Sequence, residues 1–214
     1  MQLIRFTSGE TYTFFAPRWE YYICETEVDF GVGRLLNEIL WQERKILEKF
    51  PVFEDDWGTK LGPNSLTSRS NKYNLLKWEV SQPLKRFISI THDQFISQFD
   101  LPPTPIYAQA WANVMRRGEK MSMHAHGRDP WCYLSGHLCV QVKETNTYYQ
   151  NPYGGDPYAS ANAPGKLTLF PSWLPHFTDE VDSGDRVTVA FDIRTEDGYH
   201  KDIKDDMKEH WVKV

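Results

Sequence analysis

The chain has 214 residues, 40% hydrophobic and 14% aromatic, enough apolar content for a packed core and too much for a disordered chain. A formal net charge of −5, from 24 basic and 29 acidic residues with no basic stripe, gives no footing for nucleic-acid binding. Cys24, Cys132 and Cys139 follow no zinc spacing and argue against a disulfide scaffold. No apolar run approaches membrane length and no leader pattern opens the chain, so no membrane is expected and the expected location is cytoplasmic.

Short β-like runs come first, at residues 11–15 and 21–24. Val32, Leu35, Leu36, Ile39, Leu40, Ile46, Leu47 and Phe50 then form the stripe of an amphipathic helix, closed by Pro51. Pro83 suits the first turn of a second helix, which continues through Leu84, Phe87, Ile88, Thr91, Phe95 and Phe99 until "DLPP" stops it. After Pro105 the period becomes two. Trp111, Asn113 and Met115 alternate with Ala110, Ala112 and Val114; Leu134, Gly136, Leu138 and Val140 alternate with Ser135, His137 and Cys139. Leu167 and Leu169 precede "FPSW", and Val187, Val189, Phe191 and Ile193 alternate with Arg186, Thr188, Ala190 and Asp192. Strands at this spacing predict an all-β sandwich or barrel with the helices on its outer face. Residues 147–164, rich in Gly, Pro, Asn and Tyr, read as a long loop, either functional or a plain insertion. No repeat or linker divides the chain, so one domain over 1–214 is expected. It comprises a mostly helical supporting region with short strands over 1–105, a β core over 106–194, and a charged tail or short helix over 195–214.

His124 and His126 stand i, i+2 in "MHAHGRDPW", a spacing that points two imidazoles the same way on a strand. His176, in "LFPSWLPHF", is the best third ligand from elsewhere in the chain. Such a set leaves open coordination positions, which suits iron that must bind oxygen and a cosubstrate. The competing reading is three histidines unrelated in space. Arg186 opens the last strand on the polar face, with Thr188 beside it. A buried guanidinium needs a partner, and a bound carboxylate gripped by the Arg fork, with the Thr188 hydroxyl as a further donor, is one; Asp182 or Asp185 at a sandwich edge is the other. His137 shares the face of Ser135 and Cys139 and reads as a packed or hydrogen-bonded histidine inside the barrel.

Together, "WANVMRRGEKMSMHAH", "LSGHLCV" and "PGKLTLFPSWLPHFTDEVDSGDRVTVAFDI" resemble the iron(II)/2-oxoglutarate-dependent oxygenase superfamily, and more narrowly oxygenases of marine bacteria and their phages. The likeness is strong from Trp111 to Ile193 and weak before it, through "SLTSRSNKYNLL". It implies a mainly β fold, a double-stranded β-helix (jelly roll) with N-terminal supporting α-helices, so that 106–194 is the jelly-roll core. It implies Fe(II) held by His124 and His176, with His126 in the place of the superfamily's usual carboxylate and Asp129 as the alternative third ligand. Arg186 and Thr188 would bind the distal carboxylate of 2-oxoglutarate, with Asn113 near the cosubstrate. The implied activity is a 2-oxoglutarate-dependent dioxygenase that hydroxylates its substrate. Two other readings stay open: a three-histidine, cupin-like dioxygenase acting without 2-oxoglutarate, and a non-catalytic jelly-roll binding or structural module.

Overall fold

The computed structural model describes residues 1–51, 58–127 and 129–214, and among these residues ten strands and four α-helices order the chain. They are β1 (Gln2–Thr7), β2 (Glu20–Glu27), α1 (Gly33–Lys49), α2 (Gln82–Ser97), β3 (Ile106–Met115), β4 (Leu134–Gln141), β5 (Asn146–Tyr149), β6 (Tyr158–Ala161), β7 (Lys166–Pro171), β8 (His176–Thr178), β9 (Arg186–Thr195), α3 (Glu196–Asp202), α4 (Asp205–Lys208) and β10 (Val212–Lys213). A seven-stranded sheet runs β1-β2-β7-β4-β9-β3-β10, and a three-stranded sheet runs β6-β5-β8. A backbone bridge between His124 and His176 adds the segment before β4 to the free side of β8. From β3 onward the chain passes back and forth between the two sheets, with the His124 segment between β3 and β4 and the β5–β6 hairpin on the small one, every paired strand antiparallel, and so winds the double-stranded β-helix, or jelly roll.

The two-residue period sets which side faces where. Val187, Val189, Phe191 and Ile193 of β9, with Ala108, Ala110 and Ala112 of β3, turn outward and share one core with Leu35, Ile39, Leu84 and Ile88 of α1 and α2. That apolar face explains why the helices lie on the large sheet. The opposite faces carry Arg186, Thr188, Asn113 and His137 into the space between the sheets. Gly136 is required by close approach: a Cβ there would stand 2.6 Å from the Thr168 carbonyl oxygen and 2.4 Å from the Phe191 ring.

Four segments differ from the sequence reading. Residues 11–15 form no strand; Tyr12, Phe14 and Phe15 are exposed. The register that pairs Gln2 with Glu25 and Thr7 with Glu20 assigns the strand to Gln2–Thr7 and leaves 8–19 as its connection to β2. Residues 147–164 are mostly a hairpin, β5 and β6, with only 150–157 as its loop. Thr147 and Tyr149 alternate inward with Tyr148 outward, and left-handed glycines at 154 and 155 let the loop turn. The second helix closes at Ser97, before Phe99, because Asp100 takes a left-handed conformation. The last twenty residues form α3, α4 and β10, and β10 pairs with the edge of β3 while Trp211 buries beside it. No helix of the described residues is long and apolar enough to cross a membrane.

Candidate functional site

Three histidine rings converge between the sheets. His124 and His176 are joined backbone to backbone, N to O at 3.0 and 2.9 Å in the two directions, and the His126 amide bonds the Ser172 carbonyl at 2.9 Å. The segment carrying His124 and His126 is therefore anchored without being a regular strand. Ring centroids lie 4.4 Å apart for His124 and His176, 5.0 Å for His126 and His176, and 5.4 Å for His124 and His126. One nitrogen from each falls within 4.8 Å of the others, the only such cluster among the described residues that could hold a metal ion.

Each ring is held by its other nitrogen. His124 Nδ1 lies 2.8 Å from the Ser122 carbonyl and His176 Nδ1 3.0 Å from the Leu174 carbonyl. Carbonyls only accept, so both Nδ1 atoms carry the proton and both Nε2 lone pairs are free. His126 Nδ1 stands 2.6 Å from Asp192 Oδ1, the carboxylate–histidine arrangement that orients metal ligands. Asp192 also accepts from Ser135 at 2.7 Å and Gln109 at 3.1 Å. Burial pushes the Asp192 carboxyl up, yet the charge and bond of His126 with the two added bonds hold it below its usual range. Burial, with His126 nearby, lowers His124 to about 4, and burial sends His176 well below the ordinary imidazole value. His124 and His176 are uncharged bases at neutral pH, the form a metal needs.

A cavity of about 310 Å³ connects this cluster to Arg186. Arg186 is 3% exposed. Its guanidinium donates to Thr147 Oγ1 at 3.2 Å and contacts Met115 Sδ at 3.5 Å, its Nε has no partner, and it forms no ion pair among the described residues. Burial lowers its pKa from the ordinary value. Asp185 instead faces Arg116 at 3.5 Å, and Asp182 is exposed. Thr188 and Asn113 are buried in the cavity wall, and Asn113 accepts from the Thr67 hydroxyl at 2.7 Å.

The structure thus brings His124, His126, His176, Arg186, Thr188 and Asn113 to one cavity. Asp129 is not in it: both its oxygens bond Arg194 at 3.1 Å. Sequence reasoning missed Asp192 as the His126 partner, although the alternation through Arg186, Thr188 and Ala190 puts it on the same face. It also missed Thr147, hidden in a segment read as loop, and the wall made by Thr67, Ser70 and Asn71, for which only the faint "SLTSRSNKYNLL" likeness was a signal. Trp111 lines the cavity with its ring 5.5 Å from His126, whereas Trp173 packs on Tyr21 and Tyr153 stacks on Trp19 outside it.

No protein-family model matches the chain. No curated protein matches it either. Solved structures do. A prolyl-4-hydroxylase from Pseudomonas putida aligns at 11% identity and TM-score 0.53, over 80% of this chain and 92% of that one. A viral collagen prolyl hydroxylase from Paramecium Bursaria Chlorella virus-1, solved as a 2OG complex, aligns at 12% and 0.51, over 80% and 95%. A non-heme alpha ketoglutarate dependent carbocyclase of nogalamycin biosynthesis aligns at 10% and 0.53, over 85% and 86%. What this chain shares with the two hydroxylases and the carbocyclase is their architecture, and its fold is the double-stranded β-helix on which 2-oxoglutarate oxygenases are built.

Proposed function

We propose that this protein is an Fe(II)- and 2-oxoglutarate-dependent oxygenase that hydroxylates its substrate. In this reading it is a cytoplasmic, single-domain enzyme akin to the marine bacterial and phage oxygenases that its FPSWLPH-to-Arg block resembles. His124, His126 and His176 hold the iron through Nε2, and Arg186, with Thr188 and Asn113, receives the cosubstrate.

The observation that carries the reading is the Arg186 guanidinium, buried, without an acid, in the same cavity as three metal-ready imidazoles. A buried cation left unpaired is costly, and an anion that spans the cavity removes the cost. Three imidazoles give the ion no charged ligand, so even with the Asp192 carboxylate behind His126 the ion and Arg186 together suit a dianion better than a monoanion. The fold neighbours include prolyl hydroxylases and an alpha ketoglutarate dependent carbocyclase, which supports this choice of dianion. When bound, iron(II) and 2-oxoglutarate supply the oxidation: dioxygen is consumed, 2-oxoglutarate becomes succinate and CO2, and a substrate C–H becomes C–OH.

The chain's own residues supply geometry. Asp192, fixed by Ser135 and Gln109, fixes His126; the Ser122 and Leu174 carbonyls fix the other two rings. Trp111 and Phe170 place apolar surface beside the rings and keep bulk water from them.

Calorimetric titration of the iron-loaded protein under nitrogen tests this. Metal-dependent binding of 2-oxoglutarate is expected, with affinity falling about 100-fold or more in Arg186→Met because a buried charge pair loses one member. Metal-bound protein that ignores 2-oxoglutarate but binds a thiol or small acid would point to the cupin-like dioxygenase. Absence of metal uptake would leave a binding module.

A further inference from the structure

His137 takes no part in the metal cluster, yet it lies in the same cavity and is buried. It sits on β4 opposite Ala190 of β9 and Thr168 of β7, on the inward face shared with Ser135 and Cys139. Its Nδ1 lies 3.3 Å from the Tyr149 hydroxyl, and its Nε2 is buried with no hydrogen-bond partner. In a phenol–imidazole pair the phenol is the stronger acid and the imidazole nitrogen the stronger base, so Tyr149 donates to Nδ1 and the ring proton sits on Nε2. Burial lowers His137 to about 3, and Arg186 is the charged group that acts on it most strongly. The result is a neutral ring whose N–H lacks an acceptor, in the wall of the same cavity as a guanidinium whose Nε–H also lacks one. Two buried donors lining one cavity call for an acceptor-rich group within it.

We propose that His137 is a further cosubstrate-anchoring residue, donating Nε2–H to the same distal carboxylate that Arg186 pairs with, and so selects dicarboxylate over monocarboxylate 2-oxo acids. This rests on the oxygenase reading of the site and adds a residue to it. The metal end of the cosubstrate is out of its remit; the ring discriminates only by what lies at the far end.

The test is calorimetry on the full chain loaded with zinc, which is redox-silent, titrated with 2-oxoglutarate and with 2-oxobutanoate, which has the same oxo-acid end and no second carboxylate. His137→Phe fills the space without a donor, and His137→Gln keeps an N–H donor at a similar reach. Loss of a hydrogen bond to a charged group weakens binding about tenfold or more. The expected result is that loss for 2-oxoglutarate in His137→Phe, no change for 2-oxobutanoate, and recovery of most of the loss in His137→Gln. Equal 2-oxoglutarate affinity in His137→Phe and wild type, or equal losses for both 2-oxo acids, overturns the assignment while leaving the oxygenase reading standing. Failure of the wild type to bind 2-oxoglutarate with zinc present sinks both. Should His137→Phe not fold, nitrogen-15 histidine spectra of the zinc-loaded wild type decide instead. The His137 ring N–H, identified by its absence in His137→Gln, shifts downfield and exchanges more slowly when 2-oxoglutarate is added; an unmoved resonance overturns the proposal.

Discussion

Asp129, the alternative third metal ligand of the sequence reading, and Asp192, which that reading did not consider for the metal, are both carboxylates, and their surroundings give them different work. Asp192 accepts from His126 at 2.6 Å, while Asp129 is saturated by Arg194 at the rim. Removing the partner of a metal-binding histidine typically costs 10–100-fold in metal affinity. Asp192→Ala is therefore expected to weaken iron or zinc binding by about 10–100-fold, measured by competition with a chromophoric chelator, with Asp129→Asn unchanged. Equal losses in the two variants would return Asp129 to the metal site. His124, His126 and His176 were legible as candidates from residue type and spacing, and Arg186 from the alternation of its strand, which limits where it points. Asp192 was visible on the correct face of β9, but which of several polar neighbours it would meet depends on how the next strand lies, and spacing alone does not carry that. Thr147 was hidden for a different reason: Tyr, Asn and Gly around it resemble a loop, and only its neighbours across the small sheet make it a strand.

At the scale of elements, the helix stripes and the alternation of β3, β4 and β9 were legible because each buries one continuous apolar face, and a period is the trace of one face. Residues 11–15 show the limit. "TYTFF" has strand composition, but a strand also needs a partner, and β2 is already paired with Gln2–Thr7 on one side and β7 on the other. Gly136 offers a test of the layer it sits in. The Gly136 backbone lies against Phe191, which belongs to the core under the helices. Gly136→Ala forces the added methyl toward the Thr168 carbonyl, which cannot rotate away. Overpacking of this kind costs about 1–3 kcal/mol, so the urea midpoint should fall by the corresponding amount with an unchanged slope. A midpoint equal to wild type would mean that β4 and β7 part more readily than their register implies.

For the whole molecule, several uncharged histidines inside one shell make stability depend on acidity. Buried His137 and half-buried His124 hold folded-state values of about 3 and about 4, below the 6.5 of an exposed ring, and His176 is lowered in the same direction. The unfolded chain takes up these protons first, so stability is complete above pH 6.5 and is lost as pH falls toward the folded values. His137 alone accounts for roughly 3 kcal/mol between pH 7 and pH 4. Urea unfolding of the metal-free protein across that range is expected to show the loss, with a shallower slope in His137→Phe; identical slopes would mean that the ring is reached by water.

The paired amides and carbonyls of His124 and His176 give the site a permanence of its own. Main-chain pairing, already complete in the protein alone, holds two of the proposed donors opposite each other, so removing a metal from the proposed centre is expected to leave the chain around it in place. On that proposal, cobalt or manganese is expected to enter the same pocket after mild chelation and to give spectroscopically visible forms of it.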